Sequence, residues 1–231
     1  MFDRTVYINL DRSTDRRRRF ESRVAEIADW PFGQVERVPG VDEDAPAWHR
    51  SGRGAWGCFR AHMSVYEHAL QHGLRSVLIF EDDCVFCPDF ASKARAFLRA
   101  VPRDWDMIFL GGNHYAVPSV VDDRVLRGRV VNAAHAYAIR GRAMVEVYRT
   151  LATFPHVLSD GEFHIDTLFG SLHEWQRVNA YCPWNWLCGQ AAGPSERSSY
   201  VIPEDLYFQL NEPIIAHLRA ELANKESVAS D

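Results

Sequence analysis

The chain has no apolar run approaching the roughly 18 residues that a membrane-spanning helix needs. Positive charge is not in excess either: Lys and Arg total 26 against 31 Asp and Glu, a formal charge of -5. That balance argues against a nucleic-acid partner. The five cysteines are odd in number, and Cys84-Val-Phe-Cys87 is a lone C-x-x-C without a second pair at zinc spacing. Cys182 and Cys188 are too far apart for half a zinc knuckle. The expectation is reduced, mostly buried thiols in a reducing compartment, which disfavours a disulfide-stapled secreted domain. The N-terminus shows no leader pattern, because Thr5–Leu10 already reads as a strand. Internal repeats and long linkers are also missing. The expected location is the cytoplasm, with peripheral contact at the inner membrane as an addition.

What is present is a core. Of 231 residues, 47% are hydrophobic and 12% aromatic, enough for one sizeable α/β core or two small ones. After the strand at Thr5–Leu10, Ser13 or Thr14 can cap a helix carrying Phe20, Val24 and Ile27 at helical spacing. Gln34–Val38 reads as a second strand, and Val41–Ala55 as a loop. Phe59, Met63, Tyr66 and Leu70 mark a helix that Gly73 ends. Val77–Phe80 is a short buried strand; Phe90, Ala94, Phe97 and Val101 mark the next helix, stopped by Pro102. Strands follow at Asp106–Leu110 and Ala134–Ile139, then a helix at Gly141–Thr153. A short helix is expected at Thr167–Trp175, a strand at Arg177–Tyr181 and a helix within Pro203–Asn224. Alternating strands and helices imply a single α/β domain over residues 1–224, with a mostly parallel central sheet flanked by helices. Residues 225–231 read as a disordered tail.

The chemistry concentrates at Glu81-Asp82-Asp83. Three carboxylates stand where a buried strand ends, and ligands of open α/β sheets collect at the carboxyl ends of strands. Held together, the acids repel one another unless a cation joins them. Hard oxygen ligands suit Mg²⁺ or Mn²⁺ with a phosphate as co-ligand.

The order of the motifs carries more than any one of them. Tyr7-Ile-Asn-Leu-Asp-Arg12 with Asp15-Arg16-Arg17 comes first, then Gly57-Cys58-Phe59-Arg60-Ala61-His62. Leu78-Ile-Phe-Glu-Asp-Asp83, with Phe86 and Asp89-Phe90 behind it, is third, and Asp106-Met-Ile-Phe-Leu-Gly-Gly112 is fourth. Ala136-Tyr-Ala-Ile139 and the late Gln190…Ser195 complete the series. Over roughly residues 4–200 this succession resembles glycosyltransferase family 25, the lipopolysaccharide-type and collagen-type galactosyltransferases. The resemblance implies a GT-A-like, Rossmann-like fold, a nucleotide-sugar donor (UDP-galactose foremost) and inversion at the anomeric carbon. The chain departs from the pattern at Ala61, where the family has Ser, and at Ser195-Glu196, where it has Ser-Asp.

By resemblance to the D-x-D motif of GT-A enzymes, Glu81 and Asp83 form the outer, metal-holding pair, with Asp82 as a supporting contact. Asn9, Leu10, Asp11 and Arg12, at the end of the first strand, are donor-binding candidates; Asp11 can accept from base or ribose and Arg12 can reach a phosphate. His62 and Tyr137 join them through their motifs. Gly111 and Gly112 permit close backbone approach to sugar or phosphate, although an ordinary turn explains them too. An inverting transfer needs a general base for the acceptor hydroxyl. Asp166 is the first candidate, Asp160 and Glu162 the alternatives, and His164 or His135 could complete a metal's coordination. Arg16–Arg19 read as a solvated basic face, with an anionic lipid surface as the sharper alternative. Trp184 and Trp186 suit core packing more than an acceptor platform. The expected activity is metal-dependent hexosyl transfer to a glycan or lipid-linked acceptor in lipopolysaccharide biosynthesis. The competing readings are a non-catalytic nucleotide-sugar-binding protein and, further off, a metal-dependent phosphoesterase.

Overall fold

The computed structural model describes residues 2–153, 164–174, 177–191, 208 and 212–229. The elements run β1 (Arg4–Asn9), α1 (Thr14–Glu26), β2 (Glu36–Pro39), α2 (Gly52–Gln71), β3 (Ser76–Glu81), β4 (Cys84–Phe86), α3 (Phe90–Ala100), β5 (Met107–Phe109), β6 (Asn113–Ala116), β7 (Ser119–Val120), β8 (Val125–Gly128), β9 (Val130–Asn132), β10 (Ala136–Arg140), α4 (Gly141–Thr153), α5 (Ile165–Glu174), β11 (Ala180–Pro183), β12 (Cys188–Gln190) and α6 (Glu212–Ala229). Eight strands form one sheet in the order β2-β1-β3-β10-β5-β11-β8-β7. β1, β2, β3, β5, β11 and β7 share one direction; β10 and β8 run against it. The sheet is therefore mostly parallel, as expected, with β10 reversed between β3 and β5.

Side chains alternate across a strand, and here the alternation sorts the core into two layers. Val6, Ile8, Val77, Ile79, Phe109, Tyr137 and Ile139 face one side and pack with α2, α4, α5 and α6. Tyr7, Leu78, Phe80, Ile108, Ala136 and Ala138 face the other and pack with α1 and α3. The β3 run Val77–Phe80 is fully buried on both faces, which is why its sequence reads as continuous apolar rather than alternating.

Several boundaries differ from the sequence reading. Helix α2 begins at Gly52, inside the segment read as a loop. Gly57 accounts for the tight fit there: a Cβ would collide with the Val41 carbonyl. The second strand lies at Glu36–Pro39 and the late one at Ala180–Pro183, starting two and three residues downstream of the expected positions. Two small antiparallel pairs, β12 with β4 and β6 with β9, were not foreseen; strands this short show no period. Helix α6 runs on past Asn224 to Ala229, into the segment read as a tail. All five cysteines are free thiols, and among the described residues no helix is long and apolar enough to cross a membrane.

Candidate active site at the carboxyl end of the third strand

The alternation that sorts the core also divides the acid cluster. Glu81 continues the Val77–Ile79 row toward α2, whereas Asp82 continues the Leu78–Phe80 row toward α1. The consequence is two distinct groups at one strand end.

On the α1 side, Arg16 Nη2 lies 2.6 Å from Asp82 Oδ1 and 2.8 Å from Asp83 Oδ2. Asn9 Nδ2 donates to the other Asp82 oxygen at 2.6 Å and to the Ser13 carbonyl at 3.0 Å, while Asn9 Oδ1 accepts from Arg37 at 3.0 Å. Asp82 is thus fixed from β1 and α1 together, and Asn9 is a buried bracket between the two. The Asp83 backbone carbonyl accepts from Ala191 N at 2.7 Å, tying the turn to β12. Burial first, and then the charge of Glu81, push the Asp83 carboxyl up to about 7, and Arg16 only partly offsets this. Asp11 pairs with Arg37, and Arg12 with Asp42, both at the surface. Leu10 is half-buried against Gly40. Of the four arginines read as one solvated face, Arg17 pairs with Glu21 and Arg18 with Asp15, and Arg19 donates to the Asp15 carbonyl. Arg16 departs from that reading, because the start of α1 aims it at the acids.

On the α2 side, Glu81 Oε1 lies 3.4 Å from His62 Nε2 and 3.6 Å from Cys58 Sγ. Cys58 and His62 are one helical turn apart and share a face. Behind them, His62 Nδ1 is 2.8 Å from the Tyr137 hydroxyl, which in turn meets the Tyr66 hydroxyl. His62, Tyr66 and Tyr137 are wholly buried, and burial holds both phenols well above their ordinary pKa. His135, also wholly buried, precedes β10, and its carbonyl accepts from Glu81 N at 2.9 Å. Burial lowers the His135 pKa, while Glu81, the Cys188 carbonyl and Asp166 pull it back up. Asp166 therefore lies within electrostatic reach of the same end of the sheet. It sits nine-tenths buried in the first turn of α5, its Oδ1 accepting from Thr167 N at 3.0 Å.

Gly111 faces protein: a Cβ there would strike His135 Nε2 and the Cys188 carbonyl. A Cβ on Gly112 would stand 2.9 Å from Val131 and 3.2 Å from the Asn132 carbonyl. Trp184 and Trp186 are buried, and Trp184 Nε1 donates to the Asp122 carbonyl at 2.9 Å, in keeping with core packing. Asp160, Glu162, Ser195 and Glu196 lie outside the described residues.

The sequence reading pairs Glu81 with Asp83; in the structure Asp82 and Asp83 share a partner, and Glu81 looks the other way. Arg16 and Cys58 are the residues it did not single out. For Cys58 the signal was its four-residue spacing from His62.

This geometry stands in a recognisable family. The family model "Glycosyltransferase family 25 (LPS biosynthesis protein)" matches residues 2–137, and the chain belongs to that family. A bovine protein named probable inactive glycosyltransferase 25 family member 3 is 31% identical over 129 residues, 48% of this chain and 22% of that protein. Procollagen galactosyltransferase 2 of Mus musculus is 28% identical over 173 residues, covering 62% and 26%. The chain thus spans about a quarter of the length of the curated relatives it matches. Among solved structures, a glycosyltransferase for the major capsid of PBCV-1 aligns at 10% identity with a TM-score of 0.40, over 65% of this chain and 67% of that one. The architecture is α/β with a mostly parallel central sheet, as the sequence leads one to expect.

Proposed function

We propose that the protein is an inverting hexosyltransferase that moves galactose from UDP-galactose to a hydroxyl of a glycan or lipid-linked acceptor, with the cytoplasm as its place of action. One observation carries the reading: in a family 25 chain, three carboxylates cluster at the carboxyl end of β3, and the Asp83 carboxyl is raised by burial and by its neighbour Glu81. A site with such a surplus of negative charge fits a divalent cation, and the all-oxygen donors Asp83 and Glu81 fit Mn²⁺ or Mg²⁺. When bound, that ion neutralises charge on the nucleotide diphosphate as it leaves.

The chain's own residues do the remainder. Asn9 and Arg16 hold Asp82 and Asp83 in place. Asp11 and Arg12, at the end of β1, reach the nucleotide after exchanging their surface partners for it. Leu10, Gly111 and Gly112 shape the wall along the sheet end. His62 and Tyr137 hold Glu81 in position from behind. Asp166, across the sheet end near His135, takes the acceptor proton as the new glycosidic bond forms. The burial of Asp166 keeps water from competing with the acceptor.

The test is a donor panel. Free nucleotide and glycosylated product are measured with UDP-, GDP- and CMP-sugars, each with and without Mn²⁺. Mn²⁺-dependent turnover of a UDP-sugar with inverted product configuration supports the proposal; a product of retained configuration refutes single displacement. A second reading rests on the relatives named inactive: a nucleotide-sugar-binding protein without turnover. It predicts Mn²⁺-dependent UDP binding with no nucleotide release from any donor.

A further inference from the structure

We propose that Cys58, His62 and Glu81 form a binding site for a borderline-soft divalent cation of the Zn²⁺ class, which shares Glu81 with the hard-metal pair Glu81–Asp83 and differs from it in the ligands Cys58 and His62. The proposal goes beyond the transferase reading and does not depend on it. The Cys58 Sγ, a His62 ring nitrogen and a Glu81 carboxylate oxygen all lie within 4.8 Å of one another.

The two separations to the Glu81 oxygen are those a metal would require. Zinc binds thiolate at about 2.3 Å, imidazole at about 2.0–2.1 Å and carboxylate at about 2.0–2.2 Å in a tetrahedron. The edges of that tetrahedron are about 3.5 Å from sulfur to oxygen and about 3.3 Å from nitrogen to oxygen. The structure has 3.6 Å and 3.4 Å. The nitrogen–oxygen separation also exceeds the usual 2.7–3.2 Å of an N–H···O hydrogen bond.

The frame around the trio fits the same role. Cys58 and His62 stand at i and i+4 on α2, so one rigid helix face presents two ligands. Glu81 ends a strand buried on both faces and cannot drift. His62 Nδ1 is engaged by the Tyr137 hydroxyl at 2.8 Å, and Tyr66 holds Tyr137 in turn. With the Tyr137 oxygen accepting from Nδ1–H, the lone pair lies on Nε2, facing Glu81. Such a contact behind a ligating histidine fixes its tautomer and direction. Glu81 and Cys58 are partly exposed while His62 is wholly buried, so an ion has an entry side and a fourth position open to water. A thiolate and an imidazole together favour Zn²⁺ or Co²⁺ over Mg²⁺. Glu81 meets both Cys58 and His62 through Oε1. Binding releases the Cys58 proton to solvent as the sulfur–metal bond forms.

The experiment uses the full chain, freed of metal with a chelator and titrated with Co²⁺ without donor or acceptor; Zn²⁺ then competes. The expected result is a thiolate-to-cobalt charge-transfer absorption at one equivalent, displaced by Zn²⁺. Cys58→Ser should abolish it, and His62→Gln should weaken binding at least ~100-fold. Tyr137→Phe should weaken it about 10–100-fold, the usual effect of losing a contact behind a ligand. Cys84 and Cys87 act on the ionisation of Cys188 and form a second thiol group, so Cys87→Ser is the control and should keep the band. As a check that needs no variant, Zn²⁺ should slow alkylation of Cys58 in the unmodified protein, read by mass spectrometry. A band that survives Cys58→Ser, a band lost only in Cys87→Ser, or Cys58 alkylation indifferent to Zn²⁺ would overturn the proposal. Because no sugar nucleotide is present, that failure leaves the transferase reading standing, and absent transfer leaves the metal site standing.

Discussion

The two sides of the β3 acid turn differ in what balances their charge. Asp82 and Asp83 face α1 and meet a permanent cation, the Arg16 guanidinium, within 2.8 Å. Glu81 faces α2 and meets a thiol and an imidazole instead. One side sets oxygen donors beside a guanidinium, the combination proposed above for phosphate and its metal. The other carries nitrogen and sulfur, with Asp166 in electrostatic reach of its neighbour His135. Three adjacent acids therefore meet two different sets of partners. The pleat of β3 separates Glu81 from Asp82, and the turn that follows returns Asp83 to the Asp82 side.

The comparison can be broken in graded steps. The largest effect belongs to Asp166→Asn, which keeps the size and removes the base. Transfer should fall by at least ~10²-fold, with donor affinity intact, as measured by single-turnover kinetics alongside titration with UDP. Lost donor affinity would instead place Asp166 with the phosphate side.

Arg12→Ala should cost on the order of 1.5–3 kcal/mol of UDP affinity if its charge-assisted bond reaches phosphate. Calorimetric titration checks it, and an unchanged affinity would leave Arg12 as the surface partner of Asp42.

A smaller effect concerns pH. In the folded protein burial and the charge of Glu81 push the Asp83 carboxyl up to about 7, whereas in the unfolded chain it titrates near its ordinary 3.8. Between these limits the folded state binds more protons, so the Asp83 contribution makes stability fall as pH rises. Denaturant unfolding across that range should show the slope, and Asp83→Asn should flatten it. An identical slope in the variant would mean that Asp83 ionises normally.

Much of this was legible beforehand. The burial of Val77–Phe80, the helix through Phe59 and Tyr66, and the α4 boundaries follow from residue patterns that local structure obeys. The reversed direction of β10 did not, because strand direction is set by the path of the chain through β6 and β9, not by the residues Ala136–Arg140 themselves. The acid cluster was visible, but its division was not. The Glu81–Asp83 pairing takes alternate residues to share a face, but β3 ends at Glu81 and the chain turns at Asp82 and Asp83, which brings Asp83 round to the Arg16 side. Arg16 was hidden among four successive arginines, since only the docking angle of α1 selects the one that reaches Asp82. Cys58 carried a signal in its four-residue spacing from His62, but its partner Glu81 lies on another element.

The division of the acid turn is tested most directly by Mn²⁺-dependent UDP binding to Asp83→Ala, measured by calorimetry. The cobalt–thiolate band of the same sample reports whether the α2 side is intact. The predicted result is that UDP binding is abolished while the band keeps its wild-type intensity. Undiminished Mn²⁺-dependent UDP affinity in Asp83→Ala would contradict the account.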